Sequence, residues 1–80
     1  STTVVLRTKI TELAHCIDPA LSIHDFRMVP GPTHTNLIFD VVTPFGFRLE
    51  DAEVARQLRA LIRTFDSHYV PVIQVEHSYI

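Results

Sequence analysis

Four short turn-forming segments divide this 80-residue chain and limit the folds that it can adopt. They are Asp18-Pro19, Pro30-Gly31-Pro32, Pro44-Phe45-Gly46 and the polar cluster Asp66-Ser67-His68. Proline and glycine interrupt regular structure, and polar clusters between apolar segments are typical of loops. Each remaining segment has room for a single helix or strand, and no linker is long enough to separate two domains. We therefore expect residues 1–80 to form one small domain.

Two segments have apolar residues at helical spacing and are predicted to be helices, 3–17 and 50–65. The first ends at Asp18, because the residue before a proline avoids the α-helical region. The second carries acidic residues in its first turn and arginines near its end. This charge order favours the helix dipole.

Three segments rich in β-branched and aromatic residues are predicted to be strands, 21–29, 33–43 and 70–79. In the first, simple alternation places Ser22, His24, Phe26 and Met28 on one face. A turn over 30–33 places His34 opposite about Val29. The continuous apolar runs of the second strand predict that its middle is covered on both faces.

The element order α-β-β-α-β predicts an α+β fold in which a three-stranded sheet carries both helices on one face, since the crossover through the second helix is right-handed. The opposite face has no helix to cover it. A partly apolar face of this kind is a candidate for pairing with a second copy of the chain.

Composition excludes several classes of function. The net charge is −2 and the seven basic residues are scattered, which argues against nucleic-acid binding. No run of 18 apolar residues is present to span a membrane, and the first residues lack the pattern of a signal peptide. A single cysteine forms no intrachain disulfide, so a chain this small needs a metal, a second chain or a well-packed core.

Five histidines are many for this length, and neutral imidazole is a common metal ligand. No two of them have the local spacing of a metal motif, so a site would depend on the tertiary fold. His24, His77 and His34 remain open between metal binding and ordinary hydrogen bonding. We expect His15 and His68 to face solvent.

Catalysis has little support in the sequence, and we expect no enzyme activity. Cys16 has no helix N-terminus or basic cluster around it to lower the pKa of its thiol, and we expect it to be a small buried apolar residue. A metal-dependent hydrolase or a thiol enzyme stays an alternative without a defined pair of groups.

The segment from His24 to Asp40 resembles the C-terminal cytoplasmic domain of cation diffusion facilitator transporters. The resemblance is carried by Asp18-Pro19, by the tetrad His24-Asp25-Phe26-Arg27 and by the turn Gly31-Pro32-Thr33, together with the order of helices and strands. It implies a ferredoxin-like, metallochaperone-like fold that forms a homodimer on the cytoplasmic side of the membrane. The partners that it implies are the transmembrane domain of the same full-length protein and divalent metal ions, with zinc or a related transition metal bound near the dimer interface.

The resemblance implies metal ligands at several positions, and this chain departs from two of them. His24 matches the histidine of the tetrad, whereas the second-strand position falls on Phe39. The last-strand pair falls on about Val75 and His77, and the helix position falls near Asp51. The resulting expectation is a reduced metal site that uses His24 and His77 with His34 or Asp51. The alternative is a dimerisation domain that binds no metal.

Overall fold

The computed structural model describes all 80 residues, Ser1–Ile80, as two helices and three strands. In chain order they are α1 (Thr2–Ile17), β1 (Ser22–Pro30), β2 (Thr35–Pro44), α2 (Asp51–Phe65) and β3 (Tyr69–Ser78). The predicted order α-β-β-α-β is confirmed, and the arrangement is a ferredoxin-like α+β fold.

The three strands form one mixed sheet in the order β1-β2-β3. The hairpin pairs β1 and β2 antiparallel, and the crossover through α2 brings β3 parallel to β2. α1 contacts β1, α2 contacts β3 and the two helices also contact each other, so both lie on the same face of the sheet.

The core lies between this face and the two helices. It contains ten buried apolar side chains: Leu6, Ile10, Ala14, Leu21, Leu37, Phe39, Val41, Val54, Leu58 and Ile62. Burial along β2 alternates strictly, with every second residue from Thr35 to Thr43 buried. The intervening side chains of β2 are only half-buried. The expectation that both faces of this strand are covered is therefore wrong for the single chain, because only one face receives helices.

A β-bulge in β1 changes which of its side chains face the helices. His24 pairs with Asp40 and Arg27 pairs with Ile38, so Asp25 and Phe26 together stand opposite one residue of β2. Asp25 has a φ of 54°, a left-handed conformation that aspartate tolerates better than most residues.

The bulge makes the predicted face of β1 wrong. Before it, Ser22 and His24 point away from the helices; after it, Phe26 and Met28 pack against the core. Phe26 stacks on Phe39 with ring centroids 5.9 Å apart. One extra residue reverses the alternation, and the sequence pattern alone contains no sign of it.

We call the sheet surface opposite the helices the open face. It carries these side chains of the three strands: Ser22, His24, Arg27, Val29, Asn36, Ile38, Asp40, Val42, Val70, Val72, Gln74 and Glu76. Most of its exposed apolar side chains lie at one end, which we call the apolar end, where Val29, Val70 and Val72 are 47%, 40% and 48% exposed. Arg27 and Asn36 lie among them. The middle is polar, since His24, Asp40 and Gln74 lie side by side across the three strands.

No helix of the protein is both long enough and apolar enough to cross a lipid bilayer.

Candidate functional site

The structure brings together two of the four predicted ligands, His77 and Asp51. Parallel pairing sets His77 beside Thr43 at the end of β3, on the helix side of the sheet. Because α2 runs back along the sheet, its first residue, Asp51, lies at the same end. The Nε2 atom of His77 lies 2.8 Å from Oδ1 of Asp51, and both side chains are partly exposed. The pair is an imidazole and a carboxylate in contact, which are two donor types that zinc accepts.

The connection between β2 and α2 surrounds this pair. With Thr43, His77 and Asp51, residues 44–50 line an open cavity of about 230 Å³. Gly46 adopts a φ of 74°, which a glycine reaches without strain. The amide of Phe45 donates to the carbonyl of Ser78 at 2.8 Å, which fixes the segment to the end of β3.

Arg48 attaches the same segment to the end of α1. Its Nε donates to Oδ2 of Asp18 at 3.2 Å, and a terminal nitrogen donates to the carbonyl of Ile17 at 3.0 Å. The pKa of Asp18 lies below its usual value, first because the amide of Ala20 donates to its carboxylate and then because of Arg48. The walls of the cavity are thus held by bonds to both neighbouring elements.

His24 lies far from this pair, on the open face. Its Nε2 bonds to the hydroxyl of Ser22 at 3.0 Å, and it faces Asp40 across the strand pair. His24 is on an outer strand and on the opposite sheet face from His77, so the two do not share an ion within one protomer. The idea that the register of β3 brings His77 toward His24 is wrong for the single chain.

His34 stands in the hairpin turn, apart from the other candidates. Its Nδ1 bonds to the hydroxyl of Thr33 at 3.0 Å, and its carbonyl accepts from the amide of Gly31 at 2.9 Å. Val29 pairs with Asn36, so the predicted partner of His34 is off by two residues. The actual turn lies one residue later in the chain, at 31–34, because Pro30 still pairs with Thr35. The separation of His34 from His24 along the hairpin is confirmed.

No three or more side chains of histidine, cysteine, aspartate or glutamate converge in the protomer in a way that would hold a metal ion. His77 with Asp51 is a pair, and His24 with Asp40 is another. Each pair offers two donors toward the four that a tetrahedral zinc site uses.

Two acidic residues on the open face, Asp40 and Glu76, were not among the predicted ligands. Asp40 stands opposite His24, and Glu76 accepts a hydrogen bond from Nε2 of Gln74 at 2.9 Å. Alternation along 70–79 places Gln74 and Glu76 on one face, and the structure confirms this. The positions of Asp40 and Glu76 relative to His24 depend on the parallel register of β2 and β3 and on the bulge. Local sequence patterns specify neither of these.

The predicted burial of Cys16 is wrong, because its side chain is exposed. The buried face of α1 is formed by Leu6, Ile10 and Ala14, and Cys16 lies outside that stripe. It borders a groove between the two helices.

His15 and His68 are exposed as predicted, yet each also has a partner in the protein. Nε2 of His15 bonds to the carbonyl of Leu21 at 3.0 Å. Nε2 of His68 bonds to the hydroxyl of Thr35, a buried residue, at 2.9 Å. The contact of His15 joins α1 to the loop before β1, and the contact of His68 joins the loop before β3 to β2. Both histidines therefore have a structural role.

Comparison of the chain with protein-family models, with curated proteins and with solved structures found no match.

Proposed function

We propose that the chain is a non-catalytic regulatory domain of a divalent cation efflux transporter, which pairs with a second copy through the open face and binds a zinc-type cation. The domain would lie on the cytoplasmic side of the membrane, attached to the transmembrane part of the same protein. The observation that carries the proposal is the open face itself, which in this small domain leaves an apolar end exposed beside a row of polar side chains.

The apolar end of the open face supports homodimer formation. Ile38 of the central strand pairs with Val72, and Val29 and Val70 lie on either side of Asn36 in the next row. Four apolar side chains therefore lie close together at this end, with Asn36 and Arg27 as polar neighbours. A two-fold axis through this region would place the same residues against themselves, as in an isologous interface. Burying this surface removes apolar area from water, which stabilises the pair by roughly 25 cal/mol per Å² of apolar surface.

The pair His77 and Asp51 supports metal binding. Both positions correspond to ligand positions implied by the resemblance to cation diffusion facilitators, and in the structure their donor atoms are 2.8 Å apart. Partial exposure leaves room for water molecules as additional ligands. Zinc bound here would join the start of α2 to the end of β3, and His24 with Asp40 would offer a second pair of donors at the dimer interface.

Metal binding and dimer formation would be thermodynamically linked. A cation that binds the paired state more tightly than the separate protomers shifts the equilibrium toward the pair by the ratio of the two affinities. The transmembrane part of the same protein would respond to that change in pairing.

Calorimetric titration with zinc tests the metal part of the proposal. We expect saturable binding by the wild-type domain, and replacement His77→Ala should weaken it by about tenfold or more, the scale on which metal sites respond to loss of supporting groups. His34→Ala is the matched control and should leave the affinity unchanged. Equal affinities for His77→Ala and wild type would contradict the assignment of His77.

The pH dependence of the same titration tests the donor type. Imidazole binds a metal only when it is neutral, so the apparent affinity should fall between pH 7.5 and pH 6. An affinity that stays constant over this range would argue against histidine ligands.

A dimerisation domain that binds no metal is the second candidate, and Phe39 favours it. The resemblance implies a ligand at this position, yet the Phe39 ring is buried in the core and stacks on Phe26. Absence of heat at tens of micromolar protein, together with a dimer in sedimentation, would support this function over the metal-binding one.

A further inference from the structure

The outer edge of β3 has no neighbouring strand. The carbonyl of His68 accepts from the amide of Thr35 at 3.1 Å, and the carbonyl of Ser78 accepts from the amide of Phe45 at 2.8 Å. In a parallel ladder, alternate residues direct both backbone groups to the same neighbour. The even-numbered residues of β3 therefore bond toward β2, and the odd-numbered residues direct their backbone groups to the outer edge.

Along this outer edge, the free backbone N–H donors begin after Pro71. Pro71 is an outward-directed position and has no N–H, whereas Ile73 and Val75 each present an N–H and a carbonyl. A proline at the exposed edge limits indiscriminate pairing with other strands. An extended segment added to this edge would bond to Ile73 and Val75 and would need a different kind of contact beside Pro71.

Two arginines provide that contact. Arg59 and Arg63 lie one turn apart on α2 and line a cavity of about 160 Å³ with Ser67, Tyr69 and Pro71, among others. This side of α2 faces away from the groove that α2 forms with α1. The two guanidinium groups therefore lie beside the outer edge of β3, near its first residues.

Neither arginine has an acidic partner in the protein. The basic members of the protein's ion pairs are Lys9, Arg48, Arg56 and His77. Like charges four residues apart on a helix oppose each other, and a bound carboxylate would relieve this repulsion. The floor of the cavity includes a tyrosine and a proline, which suits an acidic side chain with an apolar neighbour.

We propose that the outer edge of β3, together with Arg59 and Arg63, docks an extended acidic segment of a partner polypeptide. The segment adds as a fourth strand along Ile73 and Val75, and its acidic side chain lies against the two guanidinium groups beside Pro71. This surface is separate from the open face and from the pair His77 and Asp51. It is therefore independent of the proposed dimer and metal site.

A nuclear magnetic resonance titration tests the docking surface. The probe is a capped hexapeptide of alternating valine and glutamate, added at constant ionic strength to the 15N-labelled domain. We expect saturable shifts at the amides of Ile73 and Val75 and at the Nε–H groups of Arg59 and Arg63. Hydrogen exchange at the two edge amides should slow when the peptide is bound, because they become hydrogen-bond donors to it.

A matched peptide with glutamine in place of glutamate should bind about five- to tenfold more weakly, as should the double variant Arg59→Gln/Arg63→Gln, since two partly exposed ion pairs are lost. Arg7→Gln on α1 removes the same charge elsewhere and should not change the affinity. Equal binding of the two peptides, shifts confined to the open face, or no saturable shift would each overturn the proposal.

Discussion

The backbone conformation of one residue, Asp25, decides which side chains of β1 reach the open face. Its left-handed φ of 54° accommodates the bulge, and a terminal nitrogen of Arg27 donates to its carbonyl at 3.1 Å. Without the bulge, Phe26 and Met28 would share a face with His24. The core contact of Phe26 and the exposed position of His24 therefore depend on the same local conformation.

Substitutions at Asp25 should be ranked by how easily the new residue adopts a positive φ. Asp25→Gly and Asp25→Asn should change the free energy of unfolding by less than about 1 kcal/mol, because both residues enter this region readily. Asp25→Val should destabilise by about 1–2 kcal/mol, because a β-branched side chain is strained there. Urea unfolding measures the difference, and equal stabilities of the valine and asparagine variants would contradict the assigned conformation.

Glu53 contributes a pH-dependent interaction at the start of α2. Arg56 and then Gln57 donate hydrogen bonds to its carboxylate and lower the pKa of Glu53 from 4.5 to about 2. Because the pKa in the folded state is depressed, the stabilising effect is complete above the unfolded value and is lost as pH falls from 4.5 toward 2.

Thermal unfolding of wild type and Glu53→Gln as a function of pH tests this sign. The variant should be less stable at pH 7, and the gap should close as the pH is lowered through this range. Asp66→Asn removes a carboxylate that has no basic partner, and is the matched control. A gap for Glu53→Gln that widens toward low pH would show that the carboxylate is not stabilised in the folded state.

At the scale of elements, the sequence predicts each helix and strand to within about two residues at its ends. The apolar stripe of α2 and the proline and glycine turns are local signals, and the structure confirms them. The hairpin register and the bulge are not local signals, since they depend on which residues of β1 and β2 fit together around Phe39. The positions of His24 and His34 were therefore the least predictable part of the candidate site.

The pair His77 and Asp51 shows why a site can be partly visible in the sequence. The two residues are 26 positions apart, and no spacing rule connects them. Their meeting follows from the parallel crossover, which places the start of α2 beside the end of β3. The resemblance to a known family selected both residues, but only the folded chain shows that they are in contact.

α2 packs on the sheet through a stripe of buried apolar side chains. Leu58 is fully buried between Val54 and Ile62. Leu58→Ala should lower the free energy of unfolding by about 2–5 kcal/mol, the cost of a lost buried side chain and the cavity that remains. Leu61→Ala is the control, because Leu61 is only half-buried, and its effect on urea unfolding should be clearly smaller. Equal effects would contradict the assigned face of α2.

At the scale of the whole molecule, the helices cover one side of the sheet and leave the other side exposed, and we propose that a second copy of the chain covers it. The substitution Val72→Lys places a charge at the apolar end of the open face, where Val72 is 48% exposed in the single chain. It should prevent pairing and leave the stability of the protomer nearly unchanged. Val5→Lys, on α1, introduces the same charge at a site that is 69% exposed and should not affect pairing.

Sedimentation equilibrium of the wild-type domain over a wide range of protein concentration, with and without added zinc, tests the pairing most directly. We expect a concentration-dependent dimer that zinc strengthens, that Val72→Lys abolishes and that Val5→Lys preserves. A wild-type chain that sediments as a monomer at every concentration, in the presence and absence of the cation, would contradict this expectation.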